Sequence, residues 1–163
     1  PSRESVFFLG ERKMRICIRS KVEQSIQQVF AGFNEELFLA LNPPGIPVEL
    51  LRFDGSEKGN EVHLKLKFPG FPQIWLSEII DSGNSDEEIF FVDEGRQLPF
   101  FLSYWHHQHR IVKDGSGSEI IDDISFRGKF PFLSIFLYPV LYLQFLYRKP
   151  VYRRFFRKDK TSL

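Results

Sequence analysis

The 163-residue sequence has one cysteine, Cys17, and almost no net charge, with 22 Lys+Arg against 21 Asp+Glu. A lone cysteine forms no intrachain disulfide, which excludes a secreted disulfide scaffold and suits a reducing, cytoplasmic compartment. A net charge of +1 provides no global basic field, so a dedicated nucleic-acid binder is excluded. The first residues hold only Val6 to Leu9 as an apolar run, too short for the core of a signal peptide. Internal repeats and linkers are lacking, so residues 1–163 read as one domain with an N-terminal extension over 1–13. No G-x-S-x-G motif and no glycine-rich loop after a strand occurs, which leaves neither a nucleophile elbow nor a phosphate cradle.

Aromatic side chains are abundant: 19 Phe, 5 Tyr and 2 Trp make up 16% of the chain. Such an excess requires a large core or an apolar surface that is not core, such as a ligand cavity or a membrane face.

The alternation of Met14, Ile16 and Ile18 with Arg15, Cys17 and Arg19 predicts a half-buried first strand. From Ser25 the spacing turns helical through Ile26, Val29, Phe30 and Phe33. A second short helix through Leu37, Phe38 and Leu41 follows Asn34 in a capping position and ends by Asn42. From Pro47 to Gly128 the chain reads as six strands. The turn clusters are Asp54-Gly55 with Gly59-Asn60, Pro69-Gly70, Ser82-Gly83-Asn84, Asp93-Glu94-Gly95 and Asp114-Gly115-Ser116-Gly117. After Pro131 comes a long helix, bent at Pro139, and residues 130–147 carry no charge, with only Ser134 and Gln144 polar. Its end, over 148–163, is basic. The expected class is α+β in a helix-grip arrangement: a curved antiparallel sheet of about seven strands wrapped around the C-terminal helix, with two short helices after the first strand.

The chain resembles the START-like, Bet v 1-like superfamily, also called SRPBCC or polyketide-cyclase-like, and within it a branch of bacterial ligand-binding-type proteins. The resemblance spans roughly residues 14 to 157. It rests on Asn42-Pro43-Pro44-Gly45, Trp75-Leu76-Ser77-Glu78-Ile79, Phe91-Val92-Asp93-Glu94, Pro99-Phe100, Trp105-His106-His107-Gln108-His109 and Asp122-Asp123-Ile124-Ser125-Phe126. The branch's Trp-x-His-x-His signature falls on Trp105, His107 and His109, and its following acidic position on Asp122. The resemblance implies an interior cavity between sheet and helix that binds small hydrophobic molecules or lipids and in some members hosts cyclisation or hydrolysis. Members share a fold far more than a function.

A hairpin with Gly115-Ser116 at its tip pairs residues whose numbers sum to 231. His109 then faces Asp122, His107 faces Ile124, Trp105 faces Phe126 and Ile111 faces Ile120, all on the concave side. Three roles fit this constellation. His109 and Asp122 brace the hairpin as a satisfied buried pair, or His107 or His109 orients the polar head of a ligand, or a His–Asp dyad acts as general base. A metal on His107, His109 and Asp122 would have three ligands and no supporting spacing motif, so neither metal nor other cofactor is assigned. The expected ligand walls are Trp75, Trp105, His107, His109, Asp122 and Phe126 from the sheet with Phe136, Tyr138 and Tyr142 from the helix.

The uncharged stretch over 130–147 would span roughly 27 Å as a helix, enough for a thin bilayer. The sheet argues otherwise, because without this helix its apolar face is uncovered. A soluble domain, monomer or homodimer, that touches anionic lipid through the helix end with Arg153, Arg154 and Arg157 is the remaining possibility.

Overall fold

A computed structural model describes residues 13–42, 45 and 47–157. Pro43 and Pro44 of the Asn-Pro-Pro-Gly stretch, the extension before Lys13 and the last basic residues from Lys158 lie outside the described residues.

Strand β1 (Met14–Val22) buries Ile16, Ile18, Ser20 and Val22 on one face, as its alternation predicts. Two short helices follow. Helix α1 (Ile26–Ala31) opens on a capping box in which Ser25 and Gln28 exchange hydrogen bonds, and α2 (Glu35–Ala40) opens on Asn34, whose side chain accepts from Leu37 N at 3.0 Å. The remaining strands are β2 (Val48–Phe53), β3 (Glu61–Leu66), β4 (Gln73–Asn84), β5 (Glu88–Gln97), β6 (Leu102–Asp114) and β7 (Gly117–Gly128). All seven form one antiparallel sheet in the order β1-β7-β6-β5-β4-β3-β2.

Helix α3 (Pro131–Phe155) closes the fold, packing over β1 and β7. It starts with Pro131, whose missing N–H needs no partner there, and continues through Pro139 and Pro150. Its two inner polar residues have defined places: Ser134 Oγ accepts from Gly128 N at 2.9 Å, and Gln144 borders the interior cavity. Among the described residues no helix is long and apolar enough to cross a membrane.

The β6–β7 register is the one the turn arithmetic requires, with Asp114 opposite Gly117, His109 opposite Asp122, His107 opposite Ile124 and Trp105 opposite Phe126. Two of the expected turns are strand instead. Ser82-Gly83-Asn84 ends β4, with the reversal at residues 85–87, and Asp93-Glu94-Gly95 lies inside β5. Their glycines are present for close approach: a Cβ on Gly83 would collide with the Phe90 ring, and one on Gly95 with Leu98.

Two apolar clusters hold the layers together. One joins α1 and α2 to Ile89, Ile111 and Ile120 of the sheet and to Tyr152 and Phe156 at the far end of α3. The other joins Ile16, Ile18, Trp105, Ile124 and Phe126 to Leu141 and Phe145.

The inner and outer faces of α3 differ sharply for the same residue type: Phe145 is 1% exposed and Phe136 is 74% exposed. Phe145→Ala will lower unfolding stability by about 3–5 kcal/mol, and Phe136→Ala will change it by no more than about 0.5 kcal/mol, as read from urea unfolding midpoints. Equal losses at the two positions would contradict the docking of α3.

Candidate functional site

Three adjacent strands bring alternate residues to the concave face. From β5 come Ile89, Phe91 and Asp93, from β6 Trp105, His107, His109 and Ile111, and from β7 Ile120, Asp122, Ile124 and Phe126. Opposite them, α3 presents Leu141, Phe145, Arg148 and Tyr152, spaced four, three and four apart on one helix face. Asp122 is 0% exposed, His107 3% and His109 9%.

The hydrogen bonds run diagonally across the strand register. His107 Nε2 lies 3.0 Å from Asp122 Oδ1, and His109 Nε2 lies 3.2 Å from Asp93 Oδ2. The other ring nitrogens make the complementary contacts, His107 Nδ1 to Asp93 Oδ2 at 3.4 Å and His109 Nδ1 to Asp122 Oδ1 at 3.4 Å. Each carboxylate therefore touches both imidazoles, whose ring centroids are 3.6 Å apart. The expected direct pair of His109 and Asp122 is thus the longer contact, and Asp122's closer imidazole is His107. Trp105 Nε1 donates to Asp93 Oδ1 at 3.1 Å, the Tyr152 hydroxyl donates to Asp122 Oδ1 at 3.4 Å, and the Arg148 guanidinium stands 3.8 Å from the same oxygen while lying over the Phe145 ring.

Burial and charge set the protonation pattern. Burial, reinforced by the charge of His109, pushes His107 down to about 4. Burial opposes charge on His109 too, but its hydrogen bonds to Asp122 and Asp93 outweigh that and raise it. Both carboxylates are held below the usual range because bonds from the imidazoles overcome the cost of burial. Burial, followed by the Asp122 charge, pushes the Tyr152 hydroxyl up. The two carboxylates therefore stand against two imidazoles and the Arg148 guanidinium inside an apolar shell.

This cluster forms the polar wall of a cavity of about 150 Å³. Leu37, Phe38 and Leu41 from the α2 segment, Val62, Leu64 and Trp75 from the middle strands, and Leu141 and Phe145 from α3 supply the apolar walls. The Trp75 ring meets Trp105 edge to face at 4.8 Å, and its Nε1 donates to Ser77 Oγ at 3.0 Å.

Of the residues anticipated as walls, Trp75, Trp105, His107 and His109 border the cavity. Asp122 lies behind the imidazoles, and Phe126 is buried in the core cluster with Trp105. The three helix residues do not border the cavity. Phe136 is 74% and Tyr142 39% exposed, and Tyr138 packs against the core cluster. Aromatic character had suggested them, but helix phase decides, and the inward phase belongs to Leu141, Phe145 and Arg148. Asp93 escaped notice because Asp-Glu-Gly reads as a turn, although the alternation of Ile89, Phe91 and Asp93 places it on the inner face. Arg148 was counted with the basic tail, although it stands three residues after Phe145 and seven after Leu141.

The architecture is a helix-grip fold, a seven-stranded antiparallel sheet against a long C-terminal helix. No protein-family model and no curated protein matches the sequence. Solved structures match the fold. The Zhui aromatase/cyclase of a Streptomyces species is 12% identical with a TM-score of 0.63, over 86% of this chain and 92% of that one. Thalictrum flavum norcoclaurine synthase in complex with dopamine and hydroxybenzaldehyde is 14% identical with a TM-score of 0.58, over 93% of each chain. Ara h 8.0201 is 13% identical with a TM-score of 0.54, over 86% of this chain and 98% of that one. At these identities the likeness is one of fold.

Chemically, the cluster is a set of acceptors and imidazoles that can orient a polar group, hold a proton or ligate a cation. One ligand atom from each of Asp93, His107 and His109 falls within 4.8 Å of the others. Asp122→Ala, which strips the imidazoles and Arg148 of their shared carboxylate, will cost about 3–5 kcal/mol. The paired change His107→Leu with Asp122→Leu will cost less than Asp122→Ala alone, because it leaves fewer uncompensated groups. Urea unfolding of both variants checks the order, and a double variant at least as unstable as the single would refute the coupling.

Proposed function

We propose that the protein binds a small hydrophobic molecule in the interior cavity, with the ligand's polar end against His107 and His109. Residues 1–163 act as a single cytoplasmic domain, monomeric or homodimeric, that carries or sequesters this ligand. The observation that carries the reading is a cavity with apolar walls and one polar cluster, the usual makeup of a small-molecule site. Trp75 and Trp105 serve as walls, Asp122 and Asp93 fix the imidazoles, and Phe126 backs Trp105. A cavity of about 150 Å³ takes a benzene-sized molecule. The volume therefore favours a small aromatic compound with one polar substituent over the full acyl chain of a lipid. His107 with Asp122 behind it also has the arrangement of an oriented base, so acid–base chemistry on the bound ligand belongs to the same site.

Native mass spectrometry of protein purified from cells, together with quenching of Trp75 and Trp105 fluorescence by substituted phenols, tests this proposal. Saturable quenching is expected, and Val62→Trp, which fills the cavity from its wall, will weaken it by about tenfold or more, a loss of about 1.4 kcal/mol or more in binding. Quenching that is unaffected by Val62→Trp in a folded protein, or no saturable binding at all, would overturn it.

A second reading rests on a different surface. Phe136, Val140, Leu143 and Tyr147 form one exposed face of α3, and the same spacing of four and three continues through Pro150 to Arg154 and Arg157. An exposed apolar stripe ending in cations complements an anionic lipid surface, with the helix lying in the interface. Flotation with phosphatidylserine-containing vesicles is the measurement. Binding is expected to be lost when Arg153, Arg154 and Arg157 are changed to Glu and to fall with Leu143→Asp. Binding equal on neutral vesicles and insensitive to these changes would rule this reading out.

A further inference from the structure

Asp93, His107 and His109 face the cavity as a triangle of ligand atoms within 4.8 Å of one another, and the two edges on Asp93 have a characteristic length. Asp93 Oδ2 lies 3.2 Å from His109 Nε2 and 3.4 Å from His107 Nδ1. A tetrahedral ion with bonds of about 2.0–2.1 Å separates its ligand atoms by about 3.3 Å. On the far sides of the rings, His107 Nε2 is hydrogen-bonded to Asp122 Oδ1 at 3.0 Å and His109 Nδ1 lies 3.4 Å from the same oxygen. A carboxylate behind a histidine is what fixes ring orientation and tautomer in metal centres, and here one buried carboxylate lies behind two rings. Trp105 Nε1 donates to Asp93 Oδ1, which leaves Oδ2 directed at the triangle.

Hydrogen bonding alone leaves this arrangement incomplete. Asp122 Oδ1 is hydrogen-bonded to His107 Nε2 at 3.0 Å, and the ring's other nitrogen, Nδ1, stands 3.4 Å from Asp93 Oδ2. His109 Nδ1 and Asp122 Oδ2 are moreover buried without a hydrogen-bond partner, so the network is not closed by protons among the described residues.

We propose that Asp93, His107 and His109 hold a divalent first-row transition-metal ion, Zn²⁺ or Fe²⁺, with Asp122 as the positioning residue for both imidazoles. Two imidazoles and one carboxylate suit these ions, whereas Mg²⁺ and Ca²⁺ prefer all-oxygen sites. All three ligand residues border the cavity, so the remaining coordination position opens into it, where water or an oxygen of a bound molecule completes the shell.

The full chain, stripped with a chelator and dialysed, is titrated with Zn²⁺ by calorimetry and with Co²⁺ by visible absorption. One ion per chain is expected, with the intense Co²⁺ bands of a four- or five-coordinate site. Asp93→Asn and Asp122→Asn will each weaken Zn²⁺ binding by about 10- to 100-fold, and Asp122→Asn will also shift the Co²⁺ bands, which a purely structural role would leave in place. His63→Gln and His106→Gln, at half-buried positions paired with Glu61 and Glu94, will leave affinity unchanged. Absent stoichiometric binding, or an affinity unchanged by Asp93→Asn, refutes the site. Should a variant fail to fold by circular dichroism, X-ray absorption of the wild-type Zn²⁺ protein decides, with two imidazoles per ion supporting the site and fewer refuting it. None of these readouts involves an organic ligand, so a cavity that binds no phenol leaves them intact.

Discussion

The carboxylate of Asp122 is the constraint on which the architecture depends. Inside an apolar layer its charge is tolerated only with donors and cations around it, and β7, which carries it, supplies none. The rings of His107 and His109 reach it from the neighbouring strand, and Arg148 and Tyr152 reach it from α3. A slip of one residue in the β6–β7 register would turn both imidazoles to the outer face, and rotation of α3 by one residue would remove Arg148 and Tyr152. Satisfying one buried charge thus fixes the hairpin register and the helix phase together.

The cavity follows from where α3 is held. With Arg148 and Tyr152 drawn to Asp122, the helix lies over β1 and β7, and the concave side of β2, β3 and β4 is left to α2 and to empty space. The residues facing that space are mostly apolar, and the charged and imidazole groups among them belong to the same cluster that anchors the helix. Structural brace and candidate site are therefore one group of atoms. Asp122 faces the core, while His107, His109 and Asp93 face the cavity.

Most of the fold was legible because period-two alternation and turn composition carry strong local signals. Asn34 announced its helix through capping chemistry, and the turn at the tip of the last hairpin set a register that placed His109 opposite Asp122. Asp93-Glu94-Gly95 misled because composition alone cannot distinguish a solvated turn from a strand whose Asp meets buried donors. Those donors, Trp105 and His109, lie on another strand. Helix α3 was illegible in phase for a simpler reason. Both of its faces are apolar, so hydrophobic periodicity contains no direction. Direction resides in the few polar residues, and they point inward: Ser134 to Gly128, Gln144 to the cavity and Arg148 to Asp122.

That inversion separates the basic residues at the end of α3 into two populations. Arg148 shares the inward phase of Leu141, Phe145 and Tyr152 and belongs to the buried charge network. Arg154 shares the outward phase of Val140, Leu143 and Tyr147, and Arg157, past the helix end, lies beside it. Polar residues in place of Phe136 and Leu143 would cost the core nothing, so the packing of the inner face does not account for these exposed side chains. Both faces lie on one helix that Arg148 and Tyr152 hold at Asp122, so a surface bound along its outside and a molecule bound in the cavity would contact the same element.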